Sequence, residues 1–302
     1  MLFIQPSRDT ASDGGTSLVV GSWDDEKNMV RNLIYILFLT AKYDCPDCQV
    51  ALWSRVGGTL KEIGKAEVSG SVTGLVWAGP ETLYCSTSSG GLTCYKAAGD
   101  GIQYQMAWPA LHKPGSGGCT GVAVHGDSVA TVGQDGRINL VAAGQREPVK
   151  VYDKADSCSL TALAFSRASE LVTANMRGQL KSWDLRSNSR VPTSTAAHSA
   201  GITCLSRHPT QAHILVSGGS DGVLGVWDLR NSSHPATLLT AHQAPLSEVV
   251  FHPSQPDHLF TCSQGGDVCH WNGASIRLLA LNARVYLKYE LTYDRVQEVR
   301  SP

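Results

Sequence analysis

Two cysteines, Cys45 and Cys48, stand in the run C-P-D-C, the spacing at which paired thiolates hold zinc or cycle as a redox dithiol. Either chemistry needs more than the pair. A structural zinc needs four ligands, and no second pair lies at a suitable distance; a redox dithiol of this spacing needs a strand–helix–strand setting, which the flanking sequence lacks. The motif therefore reads as exposed and without a metal or redox role, and no cofactor is expected. The chain is expected to have no P-loop, no nucleophile elbow and no H-E-x-x-H pair. Its histidines fall at repeat positions instead of gathering in a cluster of their own. The expectation is a protein without catalytic residues.

Composition narrows the class of partner. The 302 residues carry a net charge of −1 at pH 7 and are 42% hydrophobic, with a pI near 6.8. That balance favours neither nucleic acid nor direct membrane insertion. Thirty glycines and thirteen prolines suit many tight turns, and nine cysteines, an odd number, suit reduced buried thiols in a cytosolic or nuclear setting. The first ten residues have no targeting pattern. The apolar run at residues 33–39 is far shorter than the ~20 residues of a membrane span.

The elements that organise these residues repeat. His198 recurs as His242, His208-Pro209 as His252-Pro253, Ser217 as Thr261 and Trp227 as Trp271, each at an offset of 44 residues. Trp183 lies the same distance before Trp227. Within one unit, short alternating runs at 201–205, 213–217 and 223–227 predict three strands, and 237–240 a fourth, outer one. Asp221-Gly222 predicts a two-residue hairpin turn with both residues at positive φ. A four-stranded sheet of this kind cannot bury both faces alone and must stack on its neighbours.

Period, strand count and the W-D ending resemble the WD repeat of β-propellers. The fold class expected is therefore all-β: a propeller over residues 1–272, seven-bladed in the family, with about six blades recognisable and the ring unclosed. The resemblance implies that His198, Ser217, Asp221 and Trp227 form a buried structural hydrogen-bond network. Gly265 replaces the Asp in the next unit, so its network should be incomplete. Tyr95 and Val141 replace the Trp in two earlier units, which should lack the network altogether. Residues 99–118, rich in Gly and Pro, read as a surface loop. A second strand at 17–24 is separated from its third strand at 49–54 by residues 29–48. That segment is either a long hairpin insertion or foreign to the evolved fold, such as translated intron. Residues 273–302 form an atypical tail, compatible with one strand at 284–293 or with a helix.

The runs G-S-W-D-D-E-K-N, T-V-G-Q-D-G-R-I-N-L, G-Q-L-K-S-W-D-L-R and V-V-F-H-P-S-Q-P-D-H-L-F-T-C-S are similar to the WD-repeat nucleoporins of the Y-shaped complex in the nuclear pore's outer ring. That family has a longer N-terminal strand and a further C-terminal blade, hence the expectation of an open ring. The resemblance implies a non-catalytic scaffold for nucleocytoplasmic transport, at the nuclear envelope and, in mitosis, at kinetochores. Its partners would be other nucleoporins, above all a helical-solenoid subunit of the short arm. A second reading rests on the two W-D-x-R runs. Asp184, Arg186, Asp228 and Arg230 resemble the box by which WD-repeat substrate receptors dock on cullin–RING ubiquitin ligases. Against it stands simple local pairing of each Asp with its Arg.

Overall fold

In the computed structural model the described residues are 49–272, with breaks at 57–58, 80, 99–100, 114–117, 188–190, 193, 198–199, 232–233 and 253–255. Cys45, Cys48, His198, the strand expected at 17–24, the segment 29–48 and the tail 273–302 lie outside them. The described chain is strand throughout, apart from turns and one 3-10 turn at Leu229–Asn231.

β1 (Gln49–Val56) and β2 (Thr59–Glu67) form a two-stranded antiparallel sheet. Five antiparallel sheets follow in order. The first is β3 (Val72–Trp77), β4 (Thr82–Thr87), β5 (Leu92–Ala98) and β6 (Gly101–Trp108); the second is β7 (Cys119–His125), β8 (Ser128–Gly133), β9 (Ile138–Ala142) and β10 (Lys150–Tyr152). The third is β11 (Leu160–Arg167), β12 (Glu170–Asn175), β13 (Gln179–Asp184) and β14 (Ser194–Ala197). The fourth is β15 (Ile202–Arg207), β16 (Ile214–Gly219), β17 (Val223–Asp228) and β18 (Thr237–Thr240). The last, β19 (Leu246–Phe251), β20 (His258–Ser263) and β21 (Val268–Asn272), has three described strands. Each sheet is a blade whose strands run outward in sequence order. Five blades and the β1–β2 pair match the expected all-β propeller with about six recognisable units.

Burial explains the stacking. β16 reads I-L-V-S-G-G and is buried at every position, as a strand covered on both faces must be. Trp227 of β17 packs with Ala162, Ala164 and Val172 of the preceding blade. Trp271 packs likewise with Val216 and Val226, and Trp183 with Ile138 and Leu140. The core is thus a series of apolar seams between blades; these three are each closed by a tryptophan from the later blade, whereas the seam between the first and second blades is filled by Tyr84 and Trp108 of the earlier one.

The hairpin turn differs from the expected geometry. Gly222 has φ 79°, but Asp221 does not have positive φ. Gly222 N–H donates to Gly219 O at 3.2 Å, closing a turn through Ser220 and Asp221. This is a type I turn followed by a left-handed glycine, the longer hairpin solution, which needs one glycine and not two special residues. A Cβ at Gly222 would lie 2.1 Å from His242 O, so close packing as well as φ excludes a side chain. The same bond closes the turns at Gly90, Gly136, Gly178 and Gly266.

Inner strands are stitched to one another by threonines. The Thr120 hydroxyl donates to Leu160 O of the next blade at 2.7 Å, Thr161 to Ile202 O at 2.5 Å and Thr203 to Leu246 O at 2.6 Å. Each stands at a β-bulge, which leaves the residue unpaired in its own ladder and frees it to reach across the seam.

Candidate functional site

The titratable and polar groups of this chain collect at one repeated place, where the turn between the second and third strands of a blade meets the segment entering the next. In the last blade the chain of donors is complete through three residues. Trp271 Nε1–H donates to Thr261 Oγ1 at 2.9 Å, and that hydroxyl lies 2.7 Å from His242 Nε2. Burial holds His242 below the ordinary imidazole range, so the neutral ring accepts the hydroxyl proton. Gly265 stands where an Asp would complete the relay, as its sequence position implied.

In the fourth blade Trp227 Nε1–H donates to Ser217 Oγ at 2.8 Å, and both are buried. Asp221 is exposed and accepts the Val223 N–H at 3.1 Å, so it caps the turn. The Ser217–Trp227 half of the expected network is therefore in view, while His198 is outside the described residues.

The second blade overturns an expectation. Val141 does replace the Trp, yet the relay is built. His112 Nδ1 lies 3.0 Å from Asp135 Oδ1 and its Nε2 3.0 Å from Thr131 Oγ1. Asn139, opposite Thr131 in the ladder, sends Nδ2–H to Leu111 O at 2.9 Å and lies 3.2 Å from His112 Nε2. Burial lowers the pKa of His112 against the raising effect of Asp135. Burial pushes Asp135 up, but bonds from His112 and from the Lys113 and Arg137 N–H groups outweigh it and hold the carboxyl low. The result is a neutral imidazole donating to a carboxylate. His112 sits in the segment expected to be a surface loop. That segment instead forms β6 and then turns inward, burying Trp108, Leu111 and His112.

The third blade solves the same problem with charge. Asp156 occupies the position of the His and is buried. It accepts Asn175 Nδ2–H at 2.9 Å and pairs with Lys181 at 2.8 Å. Burial raises its pKa, and Lys181 and Asn175 more than reverse the effect. Trp183 Nε1–H meanwhile donates to Thr173 Oγ1 at 2.9 Å. In the first blade Tyr95 fills the Trp position and donates its hydroxyl to Glu67 O at 3.2 Å. Sequence reading missed His112, Asn139, Asp156 and Lys181, although His112 and Asp156 stand 44 residues apart, the repeat offset itself.

None of these groups is arranged for catalysis. Residues 218–222 spell G-x-S-x-G letter for letter, but they lie in a strand-to-strand hairpin and not on the strand-to-helix turn that exposes a nucleophile. Among the described residues no three His, Cys, Asp or Glu side chains group as a metal site, and no helix is long and apolar enough to cross a membrane. The seven described cysteines are free thiols.

At the rim, the W-D-x-R residues pair within their own turns. Arg186 Nε and Nη2 donate to the two carboxylate oxygens of Asp184 at 3.1 Å each. Arg230 does the same to Asp228 at 2.9 and 2.5 Å. These bonds, with the backbone N–H of each Arg, hold Asp184 and Asp228 below the usual carboxylate range. The four residues thus lie in two separate local clasps, one per blade, matching the geometry of simple local pairing.

Blades of this topology, with a Trp–hydroxyl–His relay, define a WD-repeat β-propeller. Residues 190–228 match the family described as WD domain, G-beta repeat. Over 263 residues the chain is 36% identical to nucleoporin Nup43 of Mus musculus, and equally to that of Homo sapiens, covering 79% of this chain and 69% of each relative. The chain belongs to the Nup43 nucleoporin family. Among solved structures it resembles a chain of the COPII outer coat vertex on membranes, with a TM-score of 0.68 and 18% identity, over 80% of this chain and 69% of that one. That likeness concerns the fold alone.

Proposed function

We propose that this protein is a non-catalytic scaffold subunit of the nuclear pore complex, acting in the outer-ring Y-shaped complex at the nuclear envelope. Its rigid blades present a docking surface for other nucleoporins, above all a helical-solenoid subunit of the short arm. By the same reading it supports nucleocytoplasmic transport and attends kinetochores in mitosis, without contacting nucleic acid or inserting in the membrane. The observation that carries the reading is the 36% identity to Nup43 across most of the chain. The relays described above favour it too: they tie buried polar side chains together within a blade and so hold it rigid, the property a scaffold needs.

The test is affinity purification of the tagged full chain from its own cells, with and without Arg186→Ala and Arg230→Ala. Recovery of outer-ring nucleoporins, unchanged by the substitutions, is expected. Recovery of a cullin–RING adaptor that depends on the two arginines would replace this reading with that of a substrate receptor.

A further inference from the structure

The turns between the second and third strands of the five blades compare position by position, because each ends on a glycine at positive φ: Gly90, Gly136, Gly178, Gly222 and Gly266. The residue two before that glycine is Ser88, Gln134, Met176, Ser220 and Gln264, exposed in every blade. Four of these are polar, as suits an exposed turn. The third blade alone puts a large apolar side chain there, and Met176 is 61% exposed. The next residue is Ser89, Asp135, Arg177, Asp221 and Gly265. Here too the third blade departs, with a cation where the blades on both sides have a carboxylate. Other exposed large apolar side chains among the described residues, such as Tyr104 and Leu238, lie on outer strands.

A basic strip adjoins Met176. The Met176 N–H donates to Ser159 O at 3.2 Å and the Asp156 N–H to Gly136 O at 3.0 Å, so residues 153–159 link the turns of the second and third blades along one face. Lys113, Arg137, Lys154 and Arg177 follow one another along this link. The Lys113 N–H donates to Asp135 at 3.0 Å, and Arg137 Nε to Asp153 at 2.6 Å. The side chains of Asp135 and Asp156 are only 3% and 1% exposed, which leaves Asp153 as the exposed carboxylate of the strip. No described carboxylate forms an ion pair with Lys154 or Arg177. Lys154 also has φ 57°, and it is the one described residue other than glycine in the left-handed region. Strain of that kind gathers at binding sites. The matching segments of the fourth and fifth blades, residues 219–223, 241–245 and 263–267, hold Asp221 and Asp267 and no Lys or Arg. The strip is therefore positive in a chain whose net charge is −1.

We propose that this face of the second and third blades docks an acidic segment of a protein partner, its carboxylates meeting Lys154 and Arg177 and an apolar side chain beside them covering Met176. Charge complementarity sets the sign of the occupant. Met176 sets its class. A thioether packs against apolar side chains of varied shape, whereas a phosphate backbone would leave it uncovered. The inference rests on the turn face and does not depend on the nuclear pore reading.

The probe is a blocked, rhodamine-labelled peptide, Glu-Asp-Glu-Leu-Glu-Asp-Glu, followed by fluorescence anisotropy with the full 302-residue protein. The controls are its amide analogue, Gln-Asn-Gln-Leu-Gln-Asn-Gln, and the acidic peptide with serine for leucine. The acidic leucine peptide should bind, and the amide analogue should not. The serine peptide should bind about fivefold more weakly, for loss of one partly buried apolar contact. Affinity should fall steeply between about 0.1 M and about 1 M salt, as exposed charges are screened. Met176→Ser and Arg177→Asp give the third blade the residue types that Ser220 and Asp221 supply in the fourth, so both should fold with a native melt. Met176→Ser should weaken binding about fivefold, and Arg177→Asp, which sets like charges together, at least about tenfold. The comparison of the peptides on the unaltered protein holds even if a variant folds poorly. Absence of binding, equal binding of the acidic and amide peptides, equal binding of the leucine and serine peptides, or undiminished binding to either variant would each overturn the proposal. So would a single-stranded oligonucleotide that binds more tightly than the peptide and is indifferent to Met176→Ser, since the occupant would then be nucleic acid. Self-association lost in Arg177→Asp would overturn it in favour of a second copy of this chain.

Discussion

The second and fifth blades hold complementary fragments of one relay. The second has His112 and Asp135 but Val141 in place of the Trp; the fifth has His242, Thr261 and Trp271 but Gly265 in place of the Asp. In both, the imidazole is buried, neutral and bonded to a threonine hydroxyl. What varies is how the two ends are closed. The second blade ends on a carboxylate that also gathers two backbone N–H groups and replaces the indole donor with the Asn139 amide. The fifth keeps the indole and leaves the far end to the glycine turn. The hydrogen-bond requirement is therefore local, and the large apolar surface of the Trp is a separate requirement, met by seam packing. A blade can lose one without losing the other.

Separating the two requirements gives the largest predicted effect. Trp271→Ala removes both a seam residue packed on Val216 and Val226 and the donor to Thr261. It should cost about 3–5 kcal/mol in a denaturant series, the usual range for a buried Trp. Asn139→Ala removes only a polar partner and should cost about 1–3 kcal/mol by leaving Leu111 O unpaired. Equal losses would show that seam and relay are not separable. Next in size, Asp135→Ala strands the His112 Nδ1–H and two backbone donors and should cost about 2–3 kcal/mol. Asp267→Ala, beyond the turn in the blade without the Asp, should cost less than Asp135→Ala. Asp221→Ala should fall between them, because Asp221 is exposed where Asp135 is half-buried.

Imidazole protonation should move both blades in the same direction. The folded pKa of His112 and of His242 is lowered, first by burial in each case. A depressed imidazole pKa contributes stability that is present above the unfolded value near 6.5 and is lost as pH falls below it. Melting temperatures should therefore decline on going from pH 7 to pH 5. Imidazole NMR shifts should show both rings still neutral at pH 6.5. A ring that titrates at or above 6.5 would mean that its relay is solvated and carries no such dependence.

How far the sequence foretold these blades depended on where the information lay. The sequence places an outer strand at 237–240, just before the His that opens the next unit, and β18 lies at Thr237–Thr240. Tyr95 takes the Trp position in the sequence and lies opposite Leu83, as Trp227 lies opposite Leu215. The dipeptide Asp221-Gly222 alone does not distinguish a two-residue turn from a longer one ending in glycine, so the positive φ it implies for Asp221 is not found. The Gly and Pro content of 99–118 implies a loop. Yet β6 pairs along β5 through main-chain bonds that composition does not report, and His112 is fixed by partners 19 and 23 residues away. Substitutes such as Asn139 and Lys181 occupy a cross-strand position next to the relay, so their role follows from register and not from any motif.

The smallest effect sharpens the comparison most. Gly265 occupies the place of Asp135 and has no positive φ that would reserve it for glycine. A Cβ there would meet Ala244 Cβ at 3.3 Å and Ser263 Oγ at 3.4 Å, contacts that need a shift of a few tenths of an ångström. Gly265→Asp should therefore be accommodated and give His242 the carboxylate acceptor that Asp135 gives His112. A hydrogen bond to a charged acceptor contributes about 1.5–3 kcal/mol. Crowding and the Asp267 carboxylate, whose Oδ2 would lie 3.7 Å from the new Cβ, should reduce the gain to about 1 kcal/mol. Asp267→Asn in the same chain should restore part of it. The new carboxylate should also raise the His242 pKa, as Asp135 raises that of His112, so the substitution should lessen the loss of stability below pH 6.5. A denaturant series in which Gly265→Asp is neutral or harmful in both backgrounds would mean that the fifth blade already closes its relay by another route, and that the two blades are alternative solutions, not two fragments of one.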